Sequence, residues 1–126
     1  MKLLVVACLL VSSSAFAAPI TCQSNDENVG GGNIRFVIES PRQIRGIDGH
    51  IMVVYPITAS NQSKGITKYF DGVGSANLNG ISLKILQDGD VLVGSITAKN
   101  NGVSLVGTAA VKGVTGSEEV SCWAAQ

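Results

Sequence analysis

His50 is the only histidine in the chain, and histidine is the side chain that titrates nearest neutral pH. Nucleophilic catalysis also needs a nucleophile and an orienting group beside such a base. The sequence contains no G-x-S-x-G motif, and His50 directly follows the turn pair Asp48-Gly49 at the start of an apolar segment. We therefore predict that His50 is an ordinary residue at the start of a strand and that the protein is not an enzyme.

Two groups of neighbouring carboxylates are candidates for binding a cation. Asp88 and Asp90 flank a glycine between two alternating segments, which is typical of a hairpin turn. Asp26 and Glu27 lie in a polar segment that lacks the twelve-residue pattern of a calcium loop. The glycines at 30–32 are not followed by the Lys-Ser/Thr pair of a phosphate-binding loop. The sequence thus predicts no metal site and no cofactor.

Cys22 and Cys122 lie near the two ends of the chain, whereas Cys8 falls in an apolar run close to the N-terminus. The sequence has no CxxC motif, and His50 with two thiols cannot complete a four-ligand zinc site. An isolated pair of cysteines forms a disulfide in an oxidising compartment. We predict a Cys22–Cys122 disulfide, and closing a loop of about 100 residues stabilises a fold by roughly 4–5 kcal/mol.

Residues 1–17 have the pattern of an export signal. Lys2 supplies the positive charge, residues 3–11 form an apolar run, and residues 15–17 read Ala-Phe-Ala, a small-residue cleavage site. The run is about half the ~20 residues that a membrane-spanning helix needs. We predict that the protein is exported to the periplasm or the extracellular space and that residues 18–126 form one domain.

The composition excludes some classes of partner. The formal net charge is zero, and charged residues make up 14% of the chain, so no basic surface for nucleic acid is predicted. Aromatic residues make up only 5%, too few for the aromatic girdles of a barrel embedded in a membrane. We expect no membrane insertion, and a protein or a small ligand as partner.

Period-two alternation of apolar and polar residues, interrupted by turn residues, predicts an all-β domain. Asp88-Gly89 and Asn101-Gly102 predict two tight hairpin turns that join a three-stranded meander. The predicted fold is a single antiparallel domain of about eight strands, an up-and-down barrel or alternatively a β-sandwich, with the terminal strands tied by the disulfide. The predicted strands are 20–24, 33–40, 50–58, 66–70, three between 81 and 112, and 119–125.

Polar and glycine-rich segments between these strands predict loops at 41–49, 59–65 and 72–80. The loop at 59–65 contains Asn61-Gln62-Ser63, an N-glycosylation sequon that we expect to be accessible.

The segment from Pro41 to His50 is the most distinctive of these predicted loops. Arg42, Ile44 and Arg45 combine cationic and apolar side chains, the mixture that interface anchors use, and His50 lies nearby. We predict that these four residues form a binding site on a non-catalytic binding module or inhibitor. The alternatives are a structural protein of the periplasm or extracellular matrix and, third, a small hydrolase.

Overall fold

The computed structural model describes residues 19–25, 33–45, 48–88 and 90–124. The predicted export signal at 1–17 and the carboxylates of Asp26 and Glu27 lie outside the described residues. The described chain is almost entirely β-structure, with one short 3-10 helix at Gln62–Lys64. Its strands are β1 (Ile20–Ser24), β2 (Ile34–Ile38), β3 (Arg42–Arg45), β4 (Ile51–Asn61), β5 (Ile66–Asn77), β6 (Gly80–Gln87), β7 (Val91–Asn100), β8 (Leu105–Val111) and β9 (Thr115–Ala124).

Eight of these strands form a closed antiparallel barrel. Apart from β3, each strand pairs with the next one along the chain, β2 pairs directly with β4, and β9 pairs back onto β1. This is the predicted up-and-down barrel, and the alternative of a sandwich is wrong. The remaining strand, β3, lies outside the barrel and pairs with β4 alone.

The seam between the first and last strands carries the disulfide. Cys22 and Cys122 lie directly opposite each other in the β1–β9 pairing, with their Cα atoms 4.0 Å apart, and the predicted bond joins them. Both side chains are buried among the core residues. Closure of the sheet and the covalent link between the ends of the chain therefore occur at the same place.

Alternate residues of the barrel strands point inward and fill the interior. An eight-stranded barrel has an interior just wide enough for side chains to occupy. The largest fully buried side chains are Phe36, Ile38, Ile57, Leu83, Ile85, Ile96, Val111, Val114, Val120 and Cys22. Strands approach closely at Gly107, where an added Cβ would lie 1.9 Å from the carbonyl oxygen of Thr97. The tight wall explains why this inward-facing position carries glycine.

Two of the predicted loops contain strand residues. Residues 72–77 continue β5, because their backbone pairs with β6 as far as the Asn77–Gly80 register position. Gly74 allows this, since its φ is +139° and an added Cβ would lie 2.0 Å from the Ser82 carbonyl oxygen. The segment 41–49 contains β3, which pairs with the first part of β4. Backbone pairing with a neighbour outweighs the low strand propensity of these small and polar residues.

The two predicted hairpin turns exist but are longer than two residues. Three residues separate the paired residues Gln87 and Val91, and Asp88 has a positive φ of 54°. Four residues separate Asn100 from Leu105, and the side-chain oxygen of Asn101 accepts hydrogen bonds from the backbone of this loop. The side-chain bonds of Asn101 stabilise the longer loop in place of a tight turn.

Candidate functional site

The first part of β4 leaves the barrel. Ile51–Val54 pairs with β3, whereas the pairings of β4 with its barrel neighbours begin at Tyr55 for β5 and at Ile57 for β2. Residues 42–45 and 51–54 are thus a two-stranded ribbon that continues past the last barrel pairing of β4. We refer to these two segments as the β3–β4 ribbon.

The ribbon exposes large apolar side chains to solvent. All four residues of β3 are exposed, and so are Ile51, Met52 and Val53 of β4, with exposed fractions of 57%, 37% and 46%. Ile44 lies opposite Met52, and Arg45 opposite Ile51, so apolar groups occupy both faces. Single exposed apolar residues are ordinary, but a contiguous group on one element is typical of an interaction site.

β3 is also an edge strand. It stands at the end of the strand order, and within the described residues one side of it has no strand partner. Such an edge presents backbone N–H and C=O groups that can pair with another chain. Arg42 and Arg45 place two cations on this edge strand. The exposed edge of β3 thus combines free backbone groups with positive charge.

The four predicted site residues all lie on or next to the β3–β4 ribbon, but they do not form one loop. Arg42 and Ile44 share one face of β3, and Arg45 lies on the other, because successive side chains of a strand alternate. His50 lies at the far end of the ribbon, in the turn that leads to β4. The prediction of a loop at 41–49 is therefore wrong. The turn pair Asp48-Gly49 could have indicated a hairpin with a short strand on each side, whereas the sequence analysis placed it at the end of a loop.

The turn of the ribbon is held by local polar contacts. His50 Nδ1 lies 2.7 Å from Asp48 Oδ2, and the backbone N–H of His50 donates to Asp48 Oδ1 at 3.0 Å. The hydrogen bonds from the backbone and then the ring of His50 lower the pKa of Asp48. Arg45 Nη1 donates to the Gly49 carbonyl oxygen at 3.3 Å. These contacts hold residues 48–50, which lead into β4, although their side chains are exposed.

The asparagine of the predicted glycosylation sequon is not accessible. Asn61 is 5% exposed, and its amide nitrogen donates to the Val114 carbonyl oxygen at 2.8 Å. Its side-chain oxygen accepts from the Lys64 backbone N–H at 3.3 Å and caps the 3-10 helix. β4 continues to Asn61 because its pairing with β2 runs to that residue, so the prediction of a loop from 59 is wrong. The side chain of Asn61 therefore connects the end of β4 to Val114, the residue just before β9.

The described residues show neither a metal-binding cluster nor a membrane-spanning helix, and the chain matches no known protein. Within the described residues, no three or more histidine, cysteine, aspartate or glutamate side chains are grouped so that they could hold a metal ion. The same residues include no helix long and apolar enough to cross a bilayer. No model of a known family, no curated protein and no solved structure matches the chain.

Proposed function

We propose that the protein is an exported, non-catalytic binding module that holds a protein partner through the β3–β4 ribbon. The observation that carries this proposal is the group of exposed apolar side chains, Ile44, Ile51, Met52 and Val53, on a ribbon that leaves the barrel. Burying such side chains against a partner removes apolar surface from water, which is the main driving force of association. If the partner is an enzyme, the protein acts as its inhibitor.

The edge of β3 supports a particular mode of binding. An extended segment of the partner adds beside β3, where backbone hydrogen bonds supply affinity and alternate side chains supply specificity. Arg42 and Arg45 favour acidic residues in that segment, because a guanidinium binds a carboxylate with two parallel hydrogen bonds. The proposed partner therefore carries an exposed extended segment with both acidic and apolar side chains.

The disulfide supports the exported location. Cys22 and Cys122 are joined in a bond that persists in oxidising compartments and is rare in the cytosol. The signal pattern at 1–17 is independent support from the sequence. Mass analysis of protein recovered from outside the cytoplasm tests this location: we expect cleavage after Ala17 or Ala18 and no lipid. Retention of Cys8 with an acyl group would contradict it.

Site-specific crosslinking tests the binding surface. A photoreactive residue at Gln43 on β3 is compared with one at Thr108, which is exposed on the barrel wall. We expect a protein crosslinked from Gln43 and not from Thr108 in the compartment that receives the protein. Equal crosslinking from both positions would contradict the proposal. A product formed by two copies of this chain would indicate the structural, self-associating alternative instead.

The crosslinked partner, once purified, allows a quantitative test. The double variant Arg42→Ala/Arg45→Ala should weaken binding by roughly 1–3 kcal/mol if either arginine is an anchor. Its stability should stay nearly unchanged, since exposed charges contribute little to folding. Lys84→Ala/Lys99→Ala removes two exposed cations from the barrel wall and is the matched control. Equal affinity of both double variants, measured by calorimetry, would refute the assignment.

A further inference from the structure

The barrel is open at the end where β4 turns away from β5. The pairing of β4 with β5 stops at Tyr55 and Gly72, beyond which β5 pairs with β6 alone. A cavity of about 410 Å³ lies at this mouth. Its wall also includes residues at the disulfide seam, Ile20 and Ala124, and the link from β2 to β3. The opening is thus a consequence of the same departure of β4 that creates the ribbon.

The cavity has the size and lining of a small-molecule site. Ligand pockets typically measure ~300–1,000 Å³, are mainly apolar and often occupy the mouths of barrels. Ile20 and Ile38, both buried, form part of the cavity and belong to the core cluster. Tyr55, Ala76 and Leu78 add further apolar surface. Because core side chains fill the barrel, a ligand here rests on the core and does not enter it.

The rim of the cavity is fixed before any ligand binds. Leu78 is 51% exposed, yet its turn is held by Asn77 Oδ1, which accepts from the backbone N–H of Asn79 at 2.8 Å. Asn100 Nδ2 donates to the Leu78 carbonyl oxygen at 2.8 Å. On the opposite side, the backbone N–H of Glu39 donates to the Pro56 carbonyl oxygen at 2.8 Å. A preorganised rim lowers the entropy cost of binding.

The charge at the mouth selects the ligand. Among the described residues that line the cavity, Glu39 is the one that carries a formal charge at neutral pH. We propose that the cavity binds a small amphiphilic cation, with its apolar body over Ile20 and Ile38 and its ammonium group facing Glu39. This site uses none of Arg42, Ile44, Arg45 and His50, so it goes beyond the proposed function of the ribbon and can fail independently of it.

Titration with decyl amphiphiles that differ only in their head groups tests the proposal. The oxidised protein is titrated below the micelle concentration with decyltrimethylammonium, decyl sulfate and decyl maltoside, and methyl signals are followed by NMR. We expect saturable shifts at Ile20, Ala76 and Leu78, and the tightest binding for the cation. Decyl sulfate bound as tightly as the cation, or no saturable shift at the mouth, would overturn the proposal.

Two variants separate the contribution of charge from that of apolar surface. Glu39→Gln should weaken binding of the cation by about two- to fivefold, the effect of one exposed ion pair, and leave decyl maltoside unchanged. Glu119→Gln makes the same charge change at the far end of the barrel and is the control. Leu78→Ser, at an exposed position, should weaken all three amphiphiles alike. An unchanged head-group preference in Glu39→Gln would refute the role of the carboxylate.

Discussion

The seam of the barrel and the β3–β4 ribbon are both antiparallel strand pairings, but they differ in how their strands are paired and buried. At the seam, β1 is paired on both sides, and its apolar and sulfur side chains are buried. In the ribbon, β3 is paired on one side, and apolar residues of both its strands are exposed. Closure abolishes sheet edges, which are otherwise sites of pairing with other chains. The barrel thus supplies stability, and the ribbon keeps the edge of β3 that the proposed function needs.

The difference is sharpest within β4, which belongs to both regions. Its second part, from Ile57 to Asn61, alternates buried and half-buried residues as a barrel strand does. Its first part, Ile51–Val53, is exposed on both faces. One strand therefore passes from a structural region to the proposed interaction surface, and the following predictions measure how far the two are separable.

Reduction of the disulfide should have the largest effect, because it opens the seam. Loss of the Cys22–Cys122 bond should lower the free energy of unfolding by ~3–5 kcal/mol, since the closed loop spans about 100 residues. Urea denaturation with and without reductant measures the change. Cys22→Ala/Cys122→Ala should already be destabilised and should not respond to reductant. A change below about 1 kcal/mol in the native protein would show that strand pairing alone closes the barrel.

Truncation of two isoleucines on β4 compares the regions directly. Ile57→Ala should cost ~2–5 kcal/mol, because Ile57 is 2% exposed and its loss leaves a cavity in the core. Ile51→Ala removes the same atoms from a residue that is 57% exposed, and its effect should stay within about 0.5 kcal/mol. Chemical denaturation of both variants measures the difference. Similar losses in the two would mean that the ribbon contributes to the stability of the barrel.

The same comparison explains what could be predicted from the sequence. The barrel strands were predictable because burial of one face imposes a strict alternation, as in Ile81, Leu83 and Ile85, and because the disulfide needs only two cysteines and an oxidising compartment. The ribbon was not, because no buried face imposes a pattern on Arg42–Arg45. The sequence pointed to Arg42, Ile44 and Arg45 of the proposed protein-binding surface, but it did not indicate the exposed Ile51, Met52 and Val53 or the strand geometry. The cavity depends on where β4 and β5 separate, and no local sequence pattern indicates that position.

Loss of a buried hydrogen bond should have a smaller effect than loss of core volume. Asn61→Ala removes the donor to the Val114 carbonyl oxygen and the acceptor for the Lys64 N–H. We expect a loss of ~1–3 kcal/mol, because a buried polar group is left unpaired. Asn101→Ala, which removes a cap in an exposed loop, is the control and should cost less. Thermal denaturation distinguishes them, and equal losses would show that solvent reaches the site of Asn61.

The smallest expected effect concerns the turn of the ribbon. Asp48 has a lowered pKa in the folded protein, so its contribution to stability is present above the pKa of the unfolded chain and is lost as the pH falls through the folded value. The side chain is exposed, so its NMR titration, not global stability, is the useful measurement. His50→Ala removes the ring donor but keeps the backbone N–H donor, and should return the midpoint only partly to its ordinary value. A midpoint already at the ordinary value in the native protein would show that the contacts between Asp48 and His50 are not formed in solution.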